Sequence, residues 1–143
     1  PQKKDEAILN IIADYEKLAN LVLHQLDIVQ KLIVSGKLRL DESLHEELIK
    51  NEEKINKLEV KLSDEVINSI ALYQPVASQI RKLMSCYRIT ISLERIGDLA
   101  ISIVKLMGRI ESEEVYTSLS GFMAKMMDLS VDMSRYGTSQ MDH

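Results

Sequence analysis

Residues 86–104 read CYRITISLERIGDLAISIV, and no other part of the chain sets carboxylates inside so apolar a run. No proline interrupts it, its apolar residues recur at three and four, and it is far too long for a strand, so a largely buried helix is expected, extending from about Val76 to Arg109. With side chains 100° apart around the axis, Ile89, Leu93, Gly97, Ala100, Val104 and Met107 form one row, with Ile96 and Ile103 beside it. That row is the expected core face. Glu94 and Asp98 lie four apart on a second row with Tyr87, Ile91 and Ile101, a face that is not simply wet.

Two carboxylates at that spacing repel by roughly 0.2–0.5 kcal/mol on an exposed helix, and by more where water is scarce. Something must compensate them. One answer is salt bridging to Arg95, Lys105 or a basic residue of another helix. The other is a hard or borderline cation, since carboxylates at i and i+4 present oxygens to one point, as metal sites on bundle helices do. Spacing alone leaves both open.

Working outward, Tyr73-Gln74-Pro75 ends the preceding helix, because proline disfavours helical geometry in the residue before it and suits the first turn of the next helix. A turn this tight makes the two helices antiparallel neighbours. The preceding helix carries Leu44, Leu48, Ile55, Leu58, Leu62, Val66 and Tyr73 as its stripe. It starts at Asp41 or at Ser43, the latter forming a capping box with Glu46. Along its flank run Glu52, Asn56, Glu59 and Ser63, the natural counterpart of the Glu94 row. A first helix over Asp5–Val34 shows Ile8, Ile11, Ile12, Tyr15, Leu18, Val22, Leu26, Val29 and Ile33 at amphipathic spacing, and Ser35-Gly36-Lys37 stops it. His24 within it reads as a surface or core-edge histidine. After the charged break Glu111-Ser112-Glu113-Glu114, Val115, Leu119, Phe122, Met126, Leu129 and Met133 mark a fourth helix, its methionines read as core filling. It ends at Tyr136-Gly137.

The chain has 143 residues, 45% of them apolar, enough for one domain that buries about two thirds of its unfolded surface. The fold class expected is all-α: an antiparallel up-and-down bundle of three long helices, residues 1–110, with a fourth helix at 111–136 packing on the bundle or on a second copy, and a disordered tail at 137–143. A net charge of −4 gives no basic footprint for nucleic acid. One cysteine, Cys86, excludes an internal disulfide and fits a reducing, cytoplasmic setting. No run of eighteen apolar residues exists to span a membrane. The chain opens on Pro1, which fits removal of an initiator methionine or excision from a longer protein.

The motif Leu93-Glu94-Arg95-Ile96-Gly97-Asp98-Leu99-Ala100, preceded by Tyr73-Gln74-Pro75-Val76-Ala77 and Arg81, resembles the third helix of a PhoU repeat, a domain of bacterial phosphate-uptake regulators. The likeness extends more loosely over about residues 12–110. It implies a regulator of phosphate uptake and phosphate-starvation signalling that works by protein contacts, with a phosphate transporter and a sensor histidine kinase as partners, held at the membrane only through its partner. It also implies a divalent or iron-type metal as the cofactor of the acidic face, with Glu94 and Asp98 as the primary metal or docking residues and Glu52 as a secondary one. Family members carry a second acid four residues beyond the position of Glu52; here that position is Asn56, which weakens the case for a multinuclear cluster. Full-length members have two three-helix repeats, whereas this chain has one and an extra helix, whose stripe a homodimer would cover.

Two other readings stand beside it. A soluble PhoU-like domain of a sodium/phosphate cotransporter would suit the missing initiator methionine, and a ligand-free structural bundle would suit composition and periodicity alone. An enzyme is not expected: only Glu42-Ser43-Leu44-His45 has the spacing of a di-metal carboxylate motif, and it sits at a helix start. No nucleophile has a histidine at a suggestive spacing, and no glycine-rich phosphate loop precedes a helix.

Overall fold

The computed structural model describes residues 2–110, 121, 123–133 and 135. Three long helices dominate them: α1 (Gln2–Ser35), α2 (Glu42–Tyr73) and α3 (Ala77–Gly108). At a rise of about 1.5 Å per residue, each is a rod roughly 50 Å long. Their ends follow the local chemistry. Gly36 takes φ 77°, and its N–H bonds to the Ile33 carbonyl at 3.3 Å, closing α1. Of the two candidate starts for α2, Asp41 is the one used: its carboxylate accepts from Leu44 N–H and from Ser43 Oγ, both at 2.9 Å. Ser43 therefore supports the cap rather than serving as it. Gln74, at φ 42°, ends α2 in the left-handed region, and the Val76 N–H donates to Gln79 Oε1 at 3.1 Å as α3 begins.

Contacts between helices give the topology. Asp14 meets Lys61 and His24 meets Glu47, so rising positions on α1 meet falling positions on α2. Gln25 meets Gly97, and Arg39 just beyond α1 reaches the Gly108 carbonyl, so α1 and α3 run the same way. All three pairs of helices pack against one another. The bundle is up-down-up, with two short connections at one end each.

Its core is the stripe the periodicity marks. Tyr15, Leu18, Val22 and Leu26 of α1, Leu48, Ile55, Leu62 and Val66 of α2, and Leu83, Cys86, Leu93, Ala100 and Met107 of α3 are all essentially inaccessible. Fully burying side chains of this kind is worth about 1.5–3 kcal/mol each, the main term opposing chain entropy. Ile89 and Ile96 sit at its edge, partly buried. Among the described residues no helix is long and apolar enough to cross a membrane.

Residues 123–133 are helical, and Met123 and Met127 join the same core cluster. Here the expected stripe is rotated. Met123, Met127 and Ser130 are buried, while Leu129 and Met133 are 56% and 63% exposed. Methionines occupy two adjacent faces of this helix, and periodicity could not rank them. The face turned inward is the one that lets Asp128 accept from Gln30 Nε2 of α1 at 2.5 Å. Val115, Leu119, Phe122 and the tail from residue 137 lie outside the described residues.

Candidate functional site

The carboxylate row of α3 occupies the flank of the bundle that faces α2. Ile101 on that row is buried and Tyr87 and Ile91 are partly so, which strips water from the side chains between them. Glu94 is accordingly partly buried, while Asp98, one turn further on, is exposed. The registry with α2 follows from Gly97, whose neighbours across the interface include Ile55. One turn back on α3 therefore meets one turn on along α2, and this brings Glu59 toward Glu94.

The electrostatic result is a carboxyl group short of compensation. Burial, then the Asp98 carboxyl against it, then the charge of Glu59 push the Glu94 carboxyl up to about 7 from an ordinary 4.5, and Arg95 offsets this only in part. The salt bridge that could have neutralised the pair is not there: among the described residues neither Glu94 nor Asp98 enters an ion pair. Near neutral pH the pair is instead served by a proton on Glu94. A group half protonated near neutrality is poised to exchange that proton for another positive charge.

Glu52 is partly buried on α2, two turns before Glu59, and the charged groups that act on Glu94 are Asp98, Glu59 and Arg95 rather than Glu52. Asn56 is exposed. Among the described residues no group of three or more His, Cys, Asp or Glu side chains is arranged to hold a metal ion. The acidic face thus offers a two-carboxyl pair, not a closed coordination shell.

Two polar residues that the sequence did not single out shape the site from below. Gln25, fully buried on α1, donates from Nε2 to the Gly97 carbonyl at 2.9 Å and so fastens α1 to the turn of α3 that carries Glu94 and Asp98. Its Oε1 finds no partner among the described residues, and neither does Nδ2 of buried Asn51. A lone amide between Val22 and Leu26 was the only sequence signal for the first. His24 lies at the surface, paired with Glu47 at 2.6 Å, as a core-edge histidine should.

Comparison with known proteins bears on the same stretch. The PhoU domain profile matches residues 15–107. A phosphate-specific transport system accessory protein PhoU homolog of Aquifex aeolicus is 34% identical over 100 residues, 68% of this chain and 45% of that protein. The homolog of Clostridium acetobutylicum is 30% identical over 106 residues, 71% of this chain and 48% of that protein. PhoU homolog 1 of Methanothermobacter thermautotrophicus is 34% identical over 85 residues, 59% of this chain and 39% of that protein. The chain spans about half the length of the curated relatives it matches. No solved structure matches it.

Proposed function

The chain belongs to the PhoU family, and on that premise we propose that it is a regulatory domain of a phosphate-uptake system, acting by protein contact rather than by catalysis. The relatives it matches are named as accessory proteins of phosphate-specific transport systems, which supports a transporter as the partner; a sensor histidine kinase is the second partner of the proposal. The acting unit is the three-helix repeat of residues 1–110, with 111–136 as an added cover and 137–143 as a tail.

The observation that carries the reading is the uncompensated Glu94–Asp98 pair, set in the middle of the matched span and backed by Glu59. Glu94 and Asp98 are the primary recognition residues and Glu52 the secondary one. Their counterpart is a partner's arginine or lysine, which displaces the proton from the partly buried Glu94 and gains charge-assisted hydrogen bonds to both carboxylates. The i, i+4 spacing supports a second form of the same reading. A divalent or iron-type ion would take Glu94 and Asp98 as ligands and leave its other positions to water or to the partner, bridging the two proteins electrostatically.

Deleting the gene in its own host and following a phosphate-starvation reporter in phosphate-replete medium tests the proposal. The reporter should rise, fall again when the wild-type gene is restored, and stay high with Glu94→Gln, Asp98→Asn. A reporter indifferent to the deletion overturns the regulatory reading. If phosphate uptake collapses while the reporter is silent, the chain serves instead as the PhoU-like domain of a sodium/phosphate cotransporter. The metal form is checked by titrating metal-free protein with Fe²⁺, Zn²⁺, Mg²⁺ or Ca²⁺; equal binding by wild type and the double variant removes it.

A further inference from the structure

On the flank of α2 opposite Glu52 and Glu59, Lys50, Lys54, Lys57 and Lys61 recur at spacings of four, three and four, which lines them up over about three turns. Lys17 of α1 faces them across the α1–α2 groove. The groove holds a cavity of about 380 Å³ lined by Lys17, Leu21, Lys54, Lys57, Leu58 and Lys61. Its apolar wall is Leu58, which is buried, and Leu21, which is half-buried. Lys61 is engaged by Asp14 at 2.9 Å and Glu65 at 3.5 Å. Among the described residues no carboxylate lies within ion-pair distance of Lys17, Lys50, Lys54 or Lys57.

Stacking like charges one turn apart is unfavourable in the isolated chain. In a protein of net charge −4, concentrating them around an apolar recess sets up a local field opposite in sign to the rest of the molecule. We infer that the α1–α2 groove docks an acidic amphipathic helix of a partner protein, with one large apolar side chain seated between Leu21 and Leu58 and carboxylates one turn apart meeting Lys17, Lys54 and Lys57. Charge complementarity and the match of helical spacings select this occupant. A bilayer is a poor fit because the apolar lining is only Leu21, Leu58 and the lysine stems, too little to anchor a membrane surface, in a protein of net charge −4. Nucleic acid is a poor fit because no aromatic ring lines the groove to stack a base, and Glu53 sits beside the lysine row. The groove lies apart from the acid pair, so α2 separates a basic docking surface from an acidic one.

The probe is a labelled helical peptide with Glu at spacings of four, three and four and a Leu at its centre, followed by fluorescence anisotropy with the full chain. Binding should weaken steeply as salt rises from about 0.05 to 0.5 M. The double variant Lys54→Glu, Lys57→Glu should lose about tenfold in affinity. Lys3→Glu, Lys4→Glu, which changes net charge equally at the far end of α1, should bind like wild type. A probe with Lys in place of Glu should prefer the Lys54→Glu, Lys57→Glu variant, which shows that this variant is folded and that the groove sets the preference. Equal losses in the two double variants would overturn the inference, as would indifference to a Leu→Ser change in the probe. So would binding to phosphatidylserine vesicles without binding to the probe, or self-association of the chain that the groove variant abolishes.

Discussion

Gly97 is the position where the packing can be tested most sharply, because two substitutions there should move stability in opposite directions. A Cβ at 97 would lie 3.8 Å from Gln25 Nε2, 3.8 Å from Ile55 Cδ1 and 3.9 Å from Val22 Cγ2, which is ordinary van der Waals contact. Alanine therefore fits without movement, and replacing a mid-helix glycine by alanine is worth about 1 kcal/mol. Gly97→Ala should raise the melting temperature by about 4 °C. Leucine recovers nearly the same propensity but carries three further carbons into a space that α1 and α2 already close. Overpacking costs about 1–3 kcal/mol. Displacing Gln25 from the Gly97 carbonyl costs about 1 kcal/mol more. The net expectation for Gly97→Leu is a loss of about 2 kcal/mol, or about 8 °C. Urea unfolding followed by circular dichroism reads both, with an unchanged denaturant slope showing that only stability moved. An Ala variant less stable than wild type, or a Leu variant equal to it, would show that α3 does not press this turn against α1 and α2.

Gln74 holds a left-handed backbone without being glycine, so Gln74→Gly should stabilise the protein by about 0.5–1 kcal/mol in the same urea assay. Burial pushes the Cys86 thiol up to about 11; a thiol-reactive chromogen should therefore leave it untouched at pH 8 until denaturant is added, whereas rapid native reaction would place it at the surface. Glu94 keeps its proton in the folded state up to about 7 but loses it near 4.5 when unfolded. Its contribution to stability is thus complete below about 4.5 and is lost as pH rises through 7. Glu94→Gln should flatten that part of the stability profile and leave the variant more stable than wild type at pH 8.

The three rods and their order were legible because each presents a long apolar stripe at helical spacing, and because Tyr73-Gln74-Pro75 and Ser35-Gly36-Lys37 are stops with a mechanism. The acid pair was legible too, since one helical turn makes neighbours of residues four apart whatever the fold. Its charge balance was not: spacing leaves a salt bridge and a bound cation both open, and it takes the registry of α3 on α2 to show Glu59 arriving where a lysine could have been. Gln25 and Asn51 escaped because periodicity counts apolar residues, so a polar side chain on a core row reads as an interruption. In residues 123–133 the opposite failure occurred, with apolar residues on too many faces for the buried one to be chosen.

Site-specific titration of Glu94 by carbon-13 NMR of its side-chain carboxyl, in wild type and in Asp98→Asn, tests the acid pair most directly. A midpoint near 7 in wild type, falling part of the way toward 4.5 when Asp98 is neutralised while burial and Glu59 hold the rest of the shift, is the expected result. A wild-type Glu94 that titrates near 4.5, indifferent to Asp98, would mean that the pair is an ordinary wet helix surface with nothing to offer a partner.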